Sequence, residues 1–180
     1  MTGVVVLFGR PAVGKFTIGQ QLADALDYRL LHNHAVVDLA TSLFPFGSEP
    51  FIRLREELWL AAVDAAIDAR LRGIVLTFVP ERTVTDAFLP NLRRRVESRG
   101  ACLRFVELQC AEHEIERRLS EPSRARFGKL RDAAQYRELD AAGVFSRPEM
   151  PAADVIVDVT QQDASTSART IARQLSALSG

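Results

Sequence analysis

The chain has 180 residues, 47% of them hydrophobic and 26% charged, with 23 basic against 23 acidic side chains. That composition describes an ordinary globular sequence with material for a substantial core, and it excludes a disordered chain, which pairs few apolar residues with a large net charge. Zero net charge speaks against a nonspecific nucleic-acid binder, and no apolar run approaches the roughly 20 residues of a membrane span.

In chain order, VVVLF (4–8) is a short, β-branched, continuously apolar run, the pattern of a strand buried on both faces. A glycine-bounded loop, 9–14, follows it. Ile18, Leu22, Ala25 and Leu26 then recur at helical spacing. A second short strand is expected at 28–32 and a helix at 34–43. Ser48 and Pro50 mark the start of a long helix running to Arg72, with Gly73 as its stop. The third strand is 74–79, closed by Pro80, and a helix is expected over 83–99. The fourth strand, CLRFVEL, precedes a helix at 111–119. A charged, breaker-rich insertion occupies 120–150, and a fifth strand and a closing amphipathic helix (163–178) complete the chain. Strands alternating with helices predict a three-layer α/β fold around a parallel sheet, in one domain spanning 1–180. Cys102 and Cys110 bracket the fourth strand, which separates them by roughly 26 Å, so two free thiols are expected rather than a disulfide. No basic stretch followed by an apolar one opens the chain, and a cytoplasmic location is the expectation.

The loop reads GRPAVGKFT, from Gly9 to Thr17. A strand before it and a helix after it give GxxxxGK the setting of a phosphate-binding loop. Gly9, Arg10, Pro11, Ala12, Val13 and Gly14 would present backbone N–H groups to a nucleotide, and Lys15 would reach its β- and γ-phosphates. The alternative is a tight strand–helix turn with a surface lysine. Against that stands a bias in usage: of the 23 basic residues only Lys15 and Lys129 are lysines. Phe16 stands where a magnesium-directed hydroxyl is common, with its ring expected in the core, and the hydroxyl arrives one residue later at Thr17, placed to contact phosphate and metal.

HNHAVVD follows the second strand, where ligands of open parallel sheets gather. His34 and Asp38 lie one helical turn apart, a spacing that lets a carboxylate orient an imidazole as a general base; His32 and Asn33 would face substrate. The competing reading is that these histidines only cap the helix and finish the strand. Arg117, Arg118, Arg124, Arg126, Lys129 and Arg131 make 117–131 strongly basic. Arg124 and Arg126 fit a lid that closes on phosphates, and Arg118 a plate for adenine. Arg82, beyond the third strand, could meet an anionic substrate or simply cap a polar strand end, and no Asp ends that strand. Phe44, Phe46, Phe51 and Trp59 either line an acceptor pocket or belong to the core.

With the loop, the HNH stretch, the basic insertion and the closing strand and helix in this order, the chain resembles the small P-loop kinases: shikimate, gluconate, adenylate and chloramphenicol phosphotransferase-like enzymes. It is most similar to P-loop proteins with a GPPAVGK loop and an HNH stretch, Arg10 replacing the first proline. The Lys-x-Thr order resembles adenylate kinases, whose loop runs Lys, Gly, Thr and whose magnesium is held largely through waters and phosphates. Related kinases carry acids where His32 and His34 stand. The resemblance implies a five-stranded parallel sheet in order 2-3-1-4-5 with a helical lid at 120–150. It also implies acceptor-binding helices at 33–72, ATP and magnesium as cofactors, and a small-molecule hydroxyl acceptor. A nucleotide-binding sensor or slow NTPase is the alternative, and a nucleic-acid-end kinase is disfavoured by the neutral charge.

Overall fold

The computed structural model describes residues 1–121, 130 and 132–178. Five strands, β1 (Gly3–Phe8), β2 (Arg29–Leu31), β3 (Gly73–Phe78), β4 (Cys102–Gln109) and β5 (Val155–Asp158), pair in parallel in the order 2-3-1-4-5. The helices between them are α1 (Lys15–Leu26), α2 (Asn33–Thr41), α3 (Glu49–Asp68), α4 (Phe88–Ser98), α5 (Glu112–Leu119), α6 (Ala133–Ala141) and α7 (Ala164–Ala177). A 3-10 turn, Val144–Ser146, follows α6.

The central strand shows why the apolar run is continuous. Val4, Val6 and Phe8 face one core with Trp59 of α3 and Phe88 and Leu92 of α4. Val5 and Leu7 face the other with Ile18 and Leu22 of α1 and Ile171 of α7. Side chains alternate along a strand, so a strand covered on both sides must be apolar at every position. A third, smaller cluster joins Ala12 of the loop to Ile115 and Leu119 of α5 and Tyr136 of α6. Both cysteines are free thiols. Among the described residues no helix is long and apolar enough to cross a membrane.

Two element boundaries differ from expectation. Helix α3 ends at Asp68, and Arg70, with φ 53°, turns the chain, so Gly73 opens β3 instead of stopping a helix. A Cβ on Gly73 would meet the Tyr28 ring at 2.4 Å, which explains a glycine there. Helix α4 starts at Phe88 rather than Thr83. The Glu56 carboxylate accepts from the Thr85 N–H (2.7 Å) and hydroxyl (2.8 Å), and Glu81 accepts from the Thr83 hydroxyl (2.8 Å), so this segment bonds sideways instead of along a helix.

Candidate active site

The loop between β1 and α1 is shaped by its glycines. Gly9 has φ +151°, and a Cβ there would lie 2.5 Å from the Leu108 carbonyl oxygen of β4, so only glycine lets the loop leave the sheet this close to the neighbouring strand. Ala12 (φ 64°) and Gly14 (φ 105°) turn the loop back into α1. The first helical bond runs from the Ile18 N–H to the Gly14 carbonyl (3.0 Å), so the N–H groups of Lys15, Phe16 and Thr17 have no intrahelical acceptor. No side chain caps this end and no acid lies in its first turn. The Lys15 ammonium folds back over the loop and donates to the carbonyls of Gly9 (2.7 Å) and Arg10 (2.6 Å). A lysine poised over a turn of outward N–H groups suits a polyphosphate, whose oxygens accept from all of them.

Arg118 buttresses the loop from behind. Its guanidinium donates to the Val13 carbonyl (3.0 Å), to the Val159 carbonyl beyond β5 (2.9 Å) and to Glu114 (2.7 Å). Arg117 and Arg118 together hold the Glu114 carboxyl down at about 2, well below its usual range. Arg118 therefore ties the loop, α5 and the segment after β5 together by its donor edge.

Arg10 does not point along the loop. Its guanidinium reaches Asp140 of α6 (3.0 Å) and the hydroxyl of buried Tyr136 (3.4 Å). Partial burial opposes the charge, but Tyr136 and Asp140 hold Arg10 above its ordinary pKa. Tyr136 itself is pushed up by burial, partly offset by Arg10.

At the end of β3 the buried Thr77 hydroxyl accepts from the Asn33 N–H (3.0 Å), starting α2, and lies 3.2 Å from His32 Nδ1. Thr77 is thus a positioning group for the HNH stretch. The ring of His32 lies against Phe16 (centroids 4.5 Å) and His34 (5.1 Å). Phe16 was expected in the core. It is 39% exposed, because the first turn of α1 lies beyond the sheet edge and offers it the imidazole instead. Thr17 is exposed in the same turn, and Asp38 is exposed one turn along α2 from His34. Arg82 is exposed, its backbone N–H donating to the Val144 carbonyl (2.8 Å). Arg124 and Arg126 lie outside the described residues, as do Lys129 and Arg131. No group of three His, Cys, Asp or Glu side chains among the described residues is placed to hold a metal ion.

Of the aromatic residues between pocket and core, Phe51 (0% exposed) and Trp59 (1%) belong to the core, while Phe46 is 57% exposed. Between Phe51 and Trp59 sits a residue that sequence reasoning passed over. Arg55 is fully buried, its guanidinium over both rings (5.0 and 4.8 Å). It bonds Glu81 (2.6 Å), the Thr83 hydroxyl (3.0 Å) and the Thr83 carbonyl (2.7 Å). Burial lowers its pKa, and Glu81 opposes the shift. The available signal was an arginine four residues from an aromatic on either side, on the apolar face of a helix.

No family model and no curated protein matches the chain. Solved structures do. A sugar kinase from Janibacter sp. HTCC2649 superposes with TM-score 0.66 at 18% identity, covering 98% of this chain and 95% of that one. The Mycobacterium tuberculosis APS kinase CysC, solved with AMPPNP and APS, gives 0.65 at 14% identity over 97% and 98%. A shikimate kinase from Acinetobacter baumannii, solved with shikimate, gives 0.59 at 19% identity over 99% and 95%. Strand order, glycine loop and these neighbours together show that the chain has the three-layer α/β/α P-loop NTPase fold of small-molecule kinases.

Proposed function

We propose that the protein is an ATP-dependent kinase that phosphorylates a hydroxyl on a small molecule. The observation that carries this reading is the Lys15 ammonium held over the Gly9 and Arg10 carbonyls at the uncapped start of α1. Phosphoryl transfer needs little covalent help from the protein. It needs the reacting groups positioned and the charge on the transferring oxygens met by donors. Lys15 and the N–H groups of Gly14–Thr17 supply donors, Arg124 and Arg126 add charge from the lid, and the face of Arg118 supports the adenine. His34, with Asp38 one turn further along α2, takes the hydroxyl proton. Asn33 and His32 line the acceptor side, and Arg82 contacts an anionic group brought by substrate or product. The donor set suits a nucleotide; for magnesium it offers the Thr17 hydroxyl, with phosphate oxygens completing the shell, and the ion would neutralise charge between the phosphates.

The test is acceptor-dependent ADP release across pooled hydroxyl metabolites, followed by His34→Ala on the acceptor found. A loss of roughly 100-fold or more in kcat is expected for a general base, and full activity in that variant would remove His34 from the role. Lys15→Ala should abolish binding of AMPPNP in calorimetry. One observation favours a second reading, a nucleotide sensor or slow hydrolase: the polar side chain near the end of β3 is Thr77, one residue before the last, not a carboxylate, and its hydroxyl is engaged by Asn33 and His32. ATP binding with no acceptor-dependent turnover would favour that reading.

A further inference from the structure

A cleft of about 650 Å³ opens at the carboxyl ends of β1 and β4, on the sheet face that carries α3 and α4. Its floor is Phe8, Glu107 and Ile156, which sit side by side in the registers of β1, β4 and β5. Its roof is the segment 145–153, with Phe145, Glu149 and Met150 facing the space. The roof is anchored at the Arg82–Val144 backbone bond. Helix α4 covers the upstream half of β4, through Phe105, and leaves this corner uncovered, so Ile156 is 53% exposed. At its inner end the cleft is bounded by Gly9 and Arg10, the two residues whose carbonyls hold the Lys15 ammonium.

The charges around this space do not balance. The cation in its wall, Arg10, is already paired with Asp140. Among the described residues neither Glu107 nor Glu149 makes an ion pair or a side-chain hydrogen bond. Glu107 is unusual in itself: it is a carboxylate on an inner strand of a parallel sheet, at a position where such strands carry apolar side chains. It also lies on the opposite face from Thr77, so it is not a displaced version of the missing strand-end acid near the phosphates. An unpaired carboxylate over an apolar floor is complementary to a cation with an apolar body.

We infer that this cleft holds the amine-bearing part of the acceptor: the ammonium is read by Glu107 and Glu149, the apolar body packs on Phe8, Phe145, Met150 and Ile156, and the hydroxyl end extends past Gly9 and Arg10 to the tip of Lys15, on the side where His32 lies against Phe16 and His34 is the proposed base. This rests on the kinase reading for the role of the ligand, but not for the chemistry of the cleft. In the transfer the hydroxyl oxygen bonds to the γ-phosphorus as the bond to the β,γ-bridging oxygen breaks. ADP leaves with that electron pair, and the hydroxyl proton goes to the base.

The test uses the full chain with three amino alcohols (ethanolamine, leucinol and phenylalaninol) and the N-acetyl form of each, titrated calorimetrically with and without AMPPNP. Leucinol and phenylalaninol are expected to bind, and their N-acetyl forms to bind at least about tenfold more weakly, the scale of one charge-assisted hydrogen bond. Glu107→Gln should erase that difference. Glu149→Gln, at an exposed position, should reduce it, which guards against a folding defect in the first variant; melting curves of both check integrity. The inference is overturned if none of the amines binds, if the N-acetyl forms bind as tightly, or if both variants keep the preference. ADP release is measured on the same samples. Amine binding without turnover would sink the kinase reading and keep the cationic cleft. Turnover driven by uncharged alcohols alone would keep the kinase and sink the cationic acceptor.

Discussion

Arg118 and Arg55 occupy two corners of the same carboxyl edge, and they hold their surroundings in different ways. Arg118 gives its donors to two backbone carbonyls and to Glu114, behind a loop whose N–H groups point outward. Arg55 is sealed between two aromatic rings and gives its donors to Glu81 and Thr83, joining α3 to the segment after β3. The first arginine braces the loop that we propose meets the nucleotide. The second holds a wall of the molecule in place with no exposed surface of its own. A guanidinium can serve either end because its planar fork bonds at the edge while its faces stack.

The comparison breaks most sharply at Arg55. Arg55→Ala removes a buried charge, leaves Glu81 without its partner and opens space between two rings. A loss of about 3–5 kcal/mol in urea unfolding is expected, whereas Arg118→Ala should change stability by much less. Equal losses in the two variants would erase the distinction. Arg118→Ala should instead weaken AMPPNP by roughly tenfold in calorimetry, because the Val13 carbonyl and the back of the loop lose a charged donor worth about 1.5 kcal/mol. Between the two corners stands Thr77. Thr77→Val keeps the shape but removes the acceptor of the Asn33 N–H, and about 1–2 kcal/mol should be lost in the same unfolding assay. The smallest effect is a pH dependence. Glu114 is held at about 2 against an ordinary value of 4.5, so its contribution is complete above 4.5 and is lost as pH falls towards 2. The melting temperature of the native chain should therefore fall more steeply across that window than that of Glu114→Gln; parallel curves would show that Arg117 and Arg118 gain nothing from the carboxylate.

The same two corners mark what could be read from sequence. The strands were legible because burial on both faces demands an apolar run, and the loop because glycine spacing, lysine and the strand–helix setting each have a local physical cause. Arg118 was visible in a basic segment, though not its bonds to Val13 and Val159, which come from distant positions. Arg55 was hard to read because its partners, Glu81 and Thr83, lie in another segment; the flanking Phe51 and Trp59 put it on the apolar face of α3 but do not show what would satisfy a buried guanidinium there. Glu107 was hidden for the same reason: a strand with one acid in it reads as a strand, and only the register with Phe8 and Ile156 shows where the acid faces. Phe16 was misplaced because a phenylalanine beside a sheet is usually core, and only the geometry of the first turn of α1 sets it against His32 instead.

The sheet order has a consequence for how the chain is made. β1 is the middle strand, yet both of its partners come after it, β3 at 73–78 and β4 at 102–109. During synthesis at ~5–20 residues per second, β1 waits on the order of 5–20 s before Gln109 has been added and its second edge can be covered. Until Phe78 has been added this apolar hexapeptide has no sheet to enter and both its edges are open to any strand that passes; from then until Gln109 one edge remains open. Nascent chains halted before residue 73 should therefore be bound by chaperones at 3–8, and chains extended past 109 should not.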